Sequence, residues 1–102
     1  MASRKSTPYR LGYQTEHFCR LKLRDIGAMI IRSAGSRSPA DLVAVFPDKH
    51  EIWLIQVKRD DAPSDTSKLS EKFSDLSKLK GVYNVKTFVF MRIHGKYTFI
   101  EV

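Results

Sequence analysis

Cysteine is nearly absent, with Cys19 the only one. A lone cysteine excludes an intrachain disulfide and a cysteine-based zinc site within one chain. It suits a reducing, intracellular setting, so a cytoplasmic location is expected. Long apolar runs are missing too. No segment approaches the roughly 20 apolar residues that span a bilayer, and no membrane partner is expected. The basic start MASRKSTPYR is followed by no apolar stretch and does not read as a secretory signal. Internal repeats and low-complexity tracts are lacking. Acid is scarce in the first part of the chain: residues 1–40 hold eight Lys and Arg against only Glu16 and Asp25.

What remains is a chain of 102 residues, enough for one compact domain, with 42% hydrophobic residues and a net charge of +7. The excess sits in the first 40 residues, since residues 41–102 hold ten basic against nine acidic side chains. A field concentrated on one half points to a polyanion, nucleic acid ahead of an anionic membrane surface. Solubility alone is the plainer account of such charge.

Residues 1–8 read as a flexible basic arm closed by Pro8. Residues 11–25 form a helix by the spacing of Cys19, Leu23 and Ile26, with Lys22 interrupting the stripe and Gly27 stopping it. Strands follow over Ala28–Arg32, Asp41–Phe46 and Glu51–Arg59, the last two joined by a turn at Pro47–His50. Asp60–Thr66 is a loop, and Ser67–Lys80 a second helix with Leu69, Phe73 and Leu76 on one stripe and Gly81 at its end. Val85–Ile93, apolar on both faces, suits mid-sheet, and Tyr97–Val102 is the final strand. The order αβββαββ predicts an α/β domain with a central mixed sheet of about five strands flanked by helices.

Glu16, Asp41, Gln56 and Lys58 stand out. Strand periodicity places Gln56 and Lys58 on one face of the third strand and Trp53, Ile55 and Val57 on the other. Asp41 starts the neighbouring strand, so one end of the hairpin gathers a carboxylate, an amide oxygen and an ammonium. At about 100° per residue, Glu16 lies at the edge of the apolar stripe beside Tyr13, Arg20 and Arg24. Hard oxygen donors of this kind suit Mg²⁺ and phosphodiester hydrolysis, with a lysine to hold water or offset charge. An ordinary Asp41–Lys58 ion pair with a solvated Gln56 is the competing reading.

In order along the chain, the runs YRLGYQTE, IIRSAGSRSPADLVAV, IWLIQVK and YTFIEV closely resemble the archaeal and archaeal-virus Holliday junction resolvases of the PD-(D/E)XK nuclease superfamily. The match covers residues 9–59 and extends to the last strand, while the middle helix matches only in kind. The resemblance implies a restriction-endonuclease-like fold and a single nuclease domain over residues 9–102. It implies Glu16 as the helical acid, Asp41 as the metal-binding aspartate and Lys58 as the motif lysine. Arg32 and Ser36 fall in the RSAGS segment, which lies at the active site and contacts DNA, and Arg10 matches a basic residue of the N-terminal segment. His17 stands where many relatives carry arginine. Gln56 occupies the position of the motif glutamate: its amide oxygen can still ligate a cation but brings no charge.

The implied activity is a structure-selective, Mg²⁺-dependent endonuclease that cuts four-way junctions by paired nicks, with Mn²⁺ as a possible substitute. The metal set is Asp41, Gln56 and Glu16, with Lys58 and Ser36 completing the catalytic group. DNA contacts fall to Arg10, His17, Arg20, Arg32 and Arg37, with Arg4, Lys5 and Arg24 tracking phosphates. The implied partners are branched DNA and a second copy of the chain, with Leu69, Phe73, Leu76, Leu79, Val82 and Tyr83 as apolar material for the contact, though most of that stripe suits packing on its own sheet. No small-molecule substrate is implied. Lysines 68, 72, 78 and 80 read as a solvated helix face. A catalytically weak junction binder, a nuclease of broader taste and a basic RNA-binding domain are the alternatives.

Overall fold

A computed structural model describes residues 8–33 and 38–102, with side chains described from Tyr13 onward in the first helix. The elements are α1 (Pro8–Asp25), β1 (Met29–Arg32), β2 (Leu42–Phe46), β3 (Glu51–Asp61), a 3₁₀ turn (Thr66–Lys68), α2 (Leu69–Lys72), α3 (Ser74–Ser77), α4 (Leu79–Tyr83), β4 (Lys86–Ile93) and β5 (Lys96–Glu101). The five strands lie in sequence order in one sheet. β1, β2 and β3 form an antiparallel meander, β3 and β4 pair in parallel, and β4 and β5 close as a hairpin. The parallel pair needs a crossover, and the α2–α4 segment supplies it.

α1 begins with Pro8, a residue preorganised for the first helical position. It ends in a glycine-based cap: Gly27 adopts φ 93°, its N–H donates to the Arg24 carbonyl at 3.0 Å, and the Ala28 N–H donates to the Leu23 carbonyl at 3.0 Å. Thr15, Cys19 and Leu23 face the sheet. Ile26, expected on that stripe, is exposed, because it sits in the cap beyond the last full turn. Lys22 does not break the packing: its ammonium reaches the Tyr97 carbonyl at 3.4 Å and lies 5.1 Å from the Phe18 ring centre.

The helix covers one face of the sheet, where Leu42, Ala44, Phe46, Ile55, Phe88 and Phe90 form the core with Cys19 and Leu23. The Trp53 ring lies 4.5 Å from Phe46, 4.2 Å from Phe88 and 5.6 Å from Phe99. The opposite face packs Val89, Met91 and Val102 against Leu69, Leu76 and Ala40. β4 is buried along both faces, as its two-sided apolar pattern predicts.

The second helix departs from expectation. In place of one helix over Ser67–Lys80, the chain makes a 3₁₀ turn capped by Asp65 and three short helical pieces, with Phe73 out of helical geometry at φ −107° and ψ 45°. Serine chemistry accounts for the break. The Ser77 hydroxyl donates to the Ser70 carbonyl at 2.9 Å, taking an acceptor that a continuous helix would offer to the backbone N–H of Ser74. Gly81 does not end the helical segment, which runs through Tyr83 and stops at Asn84 in the left-handed region (φ 54°, ψ 46°). β3 runs two residues beyond Arg59, through an irregularity between Val57 and Asp61, and is held there by the Asp61–Arg92 ion pair at 2.6 Å.

Candidate active site at the end of the sheet

Asp41 lies at the mouth of β2, with its carboxylate against β3. Its N–H donates to the Ile55 carbonyl at 2.8 Å, and its Oδ2 accepts the Val57 N–H at 2.8 Å. Its carbonyl accepts from the Ser33 N–H at 2.9 Å. The aspartate thus takes a ladder position on the β1 side and replaces a ladder carbonyl on the β3 side. The two bonds to β3 bracket Gln56, so the carboxylate sits beside the backbone that carries the motif.

Burial pushes the Asp41 carboxyl above its ordinary value, and the Glu16 charge adds to the push. The Val57 N–H, Lys58 and Arg32 act in the other direction without overcoming it. Glu16 comes from α1 on one side of the sheet, Lys58 from β3 on the other, and Asp41 at the strand end is close enough to sense both. Cys19 lies beneath this group. Burial first, then Glu16 and Asp41, raise its thiol to about 12.

Glu16 Oε2 accepts from Arg32 Nε at 3.0 Å, with the glutamate side chain 13% and the arginine 52% exposed. Arg32 and Arg20 flank the Tyr13 ring at 5.8 and 6.0 Å from its centre, and the His17 ring lies parallel to Tyr13 at 6.5 Å. Arg20 also reaches His17 Nδ1 at 3.5 Å. Glu16, His17, Arg20 and Arg32 therefore form one array over the β1 side of the site, with Tyr13, placed beside Glu16 and Arg20 by helical spacing, as its aromatic member. The spacing of four between Tyr13 and His17 was the available signal for their stacking.

Gln56 and Lys58 share the face opposite α1, where they line a cleft of about 190 Å³ with Pro39, Lys72, Phe73, Ser74, Asp75 and Leu76. Lys72 was expected on a solvated helix face, and Asp75 carried no expectation of its own. They flank the break at Phe73, which no periodicity reveals. Arg10 lies in α1 with its side chain outside the described residues, and Ser36 and Arg37 fall outside them altogether.

Among the described residues no three His, Cys, Asp or Glu side chains gather as a metal group. Asp41 keeps one carboxylate oxygen beyond the bond to Val57, a donor of the type that suits a hard divalent cation. A carboxylate made costly to ionise by burial and by a like charge is one that a cation would relieve.

A β-meander joined by a parallel crossover to a final hairpin, with α1 on one face and the crossover helices on the other, defines an α/β fold with a central mixed sheet. Among solved structures it is similar to Hjc, a Holliday junction resolvase from the archaeal hyperthermophile Archaeoglobus fulgidus, at a TM-score of 0.62 and 20% identity over 88% of this chain and 71% of that one. No protein-family model and no curated protein matches the chain.

Proposed function

We propose that the protein is a structure-selective endonuclease that cuts four-way DNA junctions by divalent-cation-dependent phosphodiester hydrolysis. The observation that carries this is Asp41: a half-buried carboxylate hydrogen-bonded to the backbone of the Gln-x-Lys strand and within electrostatic reach of Glu16, Lys58 and Arg32. The likeness of the fold to that of a junction resolvase supports it.

Asp41 and the Gln56 amide oxygen would hold Mg²⁺, or Mn²⁺ in its place, with Glu16 contributing negative charge. When bound, the cation supplies Lewis acidity at the phosphoryl oxygen and a water acidified toward hydroxide. Lys58 orients the attacking water and offsets charge that develops on the phosphate. Arg20, Arg32 and His17, with Arg10 and Arg37, hold the DNA backbone, and Ser36 belongs to the same segment as Arg32. Gln56 leaves the site one negative charge short of a three-carboxylate set, so it binds Mg²⁺ weakly and works at higher metal concentration.

Two cuts related by a two-fold axis require two copies of the chain. Leu69 and Leu76 are committed to the protein's own core. Met29, Ile31 and Ile52 on the outer sheet face, and Val82 and Tyr83 on α4, are among the exposed apolar side chains available for a contact.

The test is incubation of the protein with a four-way junction in Mg²⁺ and in Mn²⁺. Paired nicks that disappear in Asp41→Ala support the reading. Tight junction binding without nicks in either metal leaves a binding protein of the same fold, and activity untouched by Asp41→Asn removes this site from the reaction.

A further inference from the structure

A second cleft, of about 350 Å³, lies on the α1 side of the sheet between that helix and the ends of β3, β4 and β5. Its aromatic wall is Phe18, 42% exposed and edge-on to Tyr97 at 5.9 Å. Around it stand Gln14, Arg59, Asp60 and Arg92. Arg92 lies over the Tyr97 ring at 5.6 Å, while among the described residues Arg59 forms no ion pair. A partly exposed aromatic ring, with Lys22 over it at 5.1 Å and a guanidinium nearby that has no ion-pair partner among the described residues, suits a flat, anionic ligand.

Its position connects it to the candidate site. Glu16 and Arg20 lie on the β1 flank of α1, and Gln14 and Phe18 on the β5 flank, with Thr15 and Cys19 buried between. Arg59 directly follows Lys58, about 7 Å along β3 from Val57, whose N–H holds Asp41. Asp41 and the cleft therefore adjoin the same stretch of β3.

We propose that the cleft receives one unpaired nucleotide from the branch point. The base lies against Phe18, Gln14 and Asp60 meet its hydrogen-bonding edge, and Arg59 meets its phosphate. The volume is at the small end of ligand-sized pockets, which suits a single nucleotide rather than a base pair. Extruding a base is cheapest where pairing is already interrupted, so the cleft selects a branch over linear duplex without reading sequence. This inference rests on the proposed function and names a subsite beside its reacting centre.

The test is the affinity of the full chain for a four-way junction with intact or abasic branch-point nucleotides, measured without divalent metal. Phe18→Leu keeps apolar bulk while removing the ring, and Gln14→Ala changes an exposed side chain that the fold does not need. Wild-type protein is expected to lose about tenfold in affinity when the branch bases are removed. Phe18→Leu and Gln14→Ala should weaken binding to the intact junction and lose nothing further on the abasic one, with linear duplex affinity within about twofold throughout. Additive losses, an abasic junction bound as tightly as the intact one, or an equal loss on linear duplex would each overturn the proposal. Non-additive losses in a protein that never cuts would keep the cleft and end the nuclease reading; additive losses in a protein that cuts would do the reverse.

Discussion

Asp41 pays for its position in stability. Its carboxyl is raised by burial and by Glu16, so below the ordinary aspartate range the proton is bound in both folded and unfolded chains and the cost is absent. As pH rises through the raised value the folded state must carry a charge that the unfolded chain carries more easily, and stability falls. Asp41→Asn, which can still accept from the Val57 N–H, should therefore melt higher than the native protein at pH 7, with the gap closing as pH drops below the carboxylate range. Mg²⁺ should raise the melting temperature of the native chain and not that of Asp41→Asn. Thermal denaturation across pH and metal concentration reads both effects. Cys19 gives an independent check on packing beneath the site. With its thiol raised to about 12 and the side chain fully buried, it should resist alkylation at pH 8 in the folded protein and react at once in denaturant. Strand periodicity correctly placed Gln56 and Lys58 on one face. The Glu16–Arg32 bond could not be read that way, because it joins residues 16 apart on elements that only tertiary packing brings together.

At the level of elements, the legible parts were those whose spacing matches their burial. α1 and the two strands β2 and β4 carry their core residues at regular intervals, and a Leu23→Ala change in that core should cost about 2–5 kcal/mol. The crossover was less legible because its apolar stripe is helical while its serines compete for backbone acceptors. Gly81 and Asn84 separate the two readings. A helix-ending glycine would suffer from a side chain, whereas Gly81 lies inside α4 with open space at its Cβ position. Gly81→Ala should therefore stabilise the protein by about 0.5–1 kcal/mol. Asn84→Ala, which forces alanine into the left-handed region, should destabilise by about 1 kcal/mol. Urea denaturation of the two variants gives opposite shifts if the helical segment ends at Asn84, and the reverse pattern if it ends at Gly81.

For the whole molecule, the net charge of +7 and the Arg20–Arg32 array beside Asp41 put a positive field over the site. If about five phosphates are neutralised, junction affinity should fall on the order of 10²–10³-fold between about 50 and 200 mM salt, measurable by titration at each concentration. The most direct measurement of the central claim is cleavage of a labelled four-way junction across a Mg²⁺ series by the native chain, Asp41→Ala and Gln56→Glu. Paired nicks from the native chain, none from Asp41→Ala, and an about tenfold lower Mg²⁺ requirement for Gln56→Glu are predicted. Nicks that survive Asp41→Ala, or a native chain and Gln56→Glu that both leave the junction whole at every Mg²⁺ concentration, would contradict it.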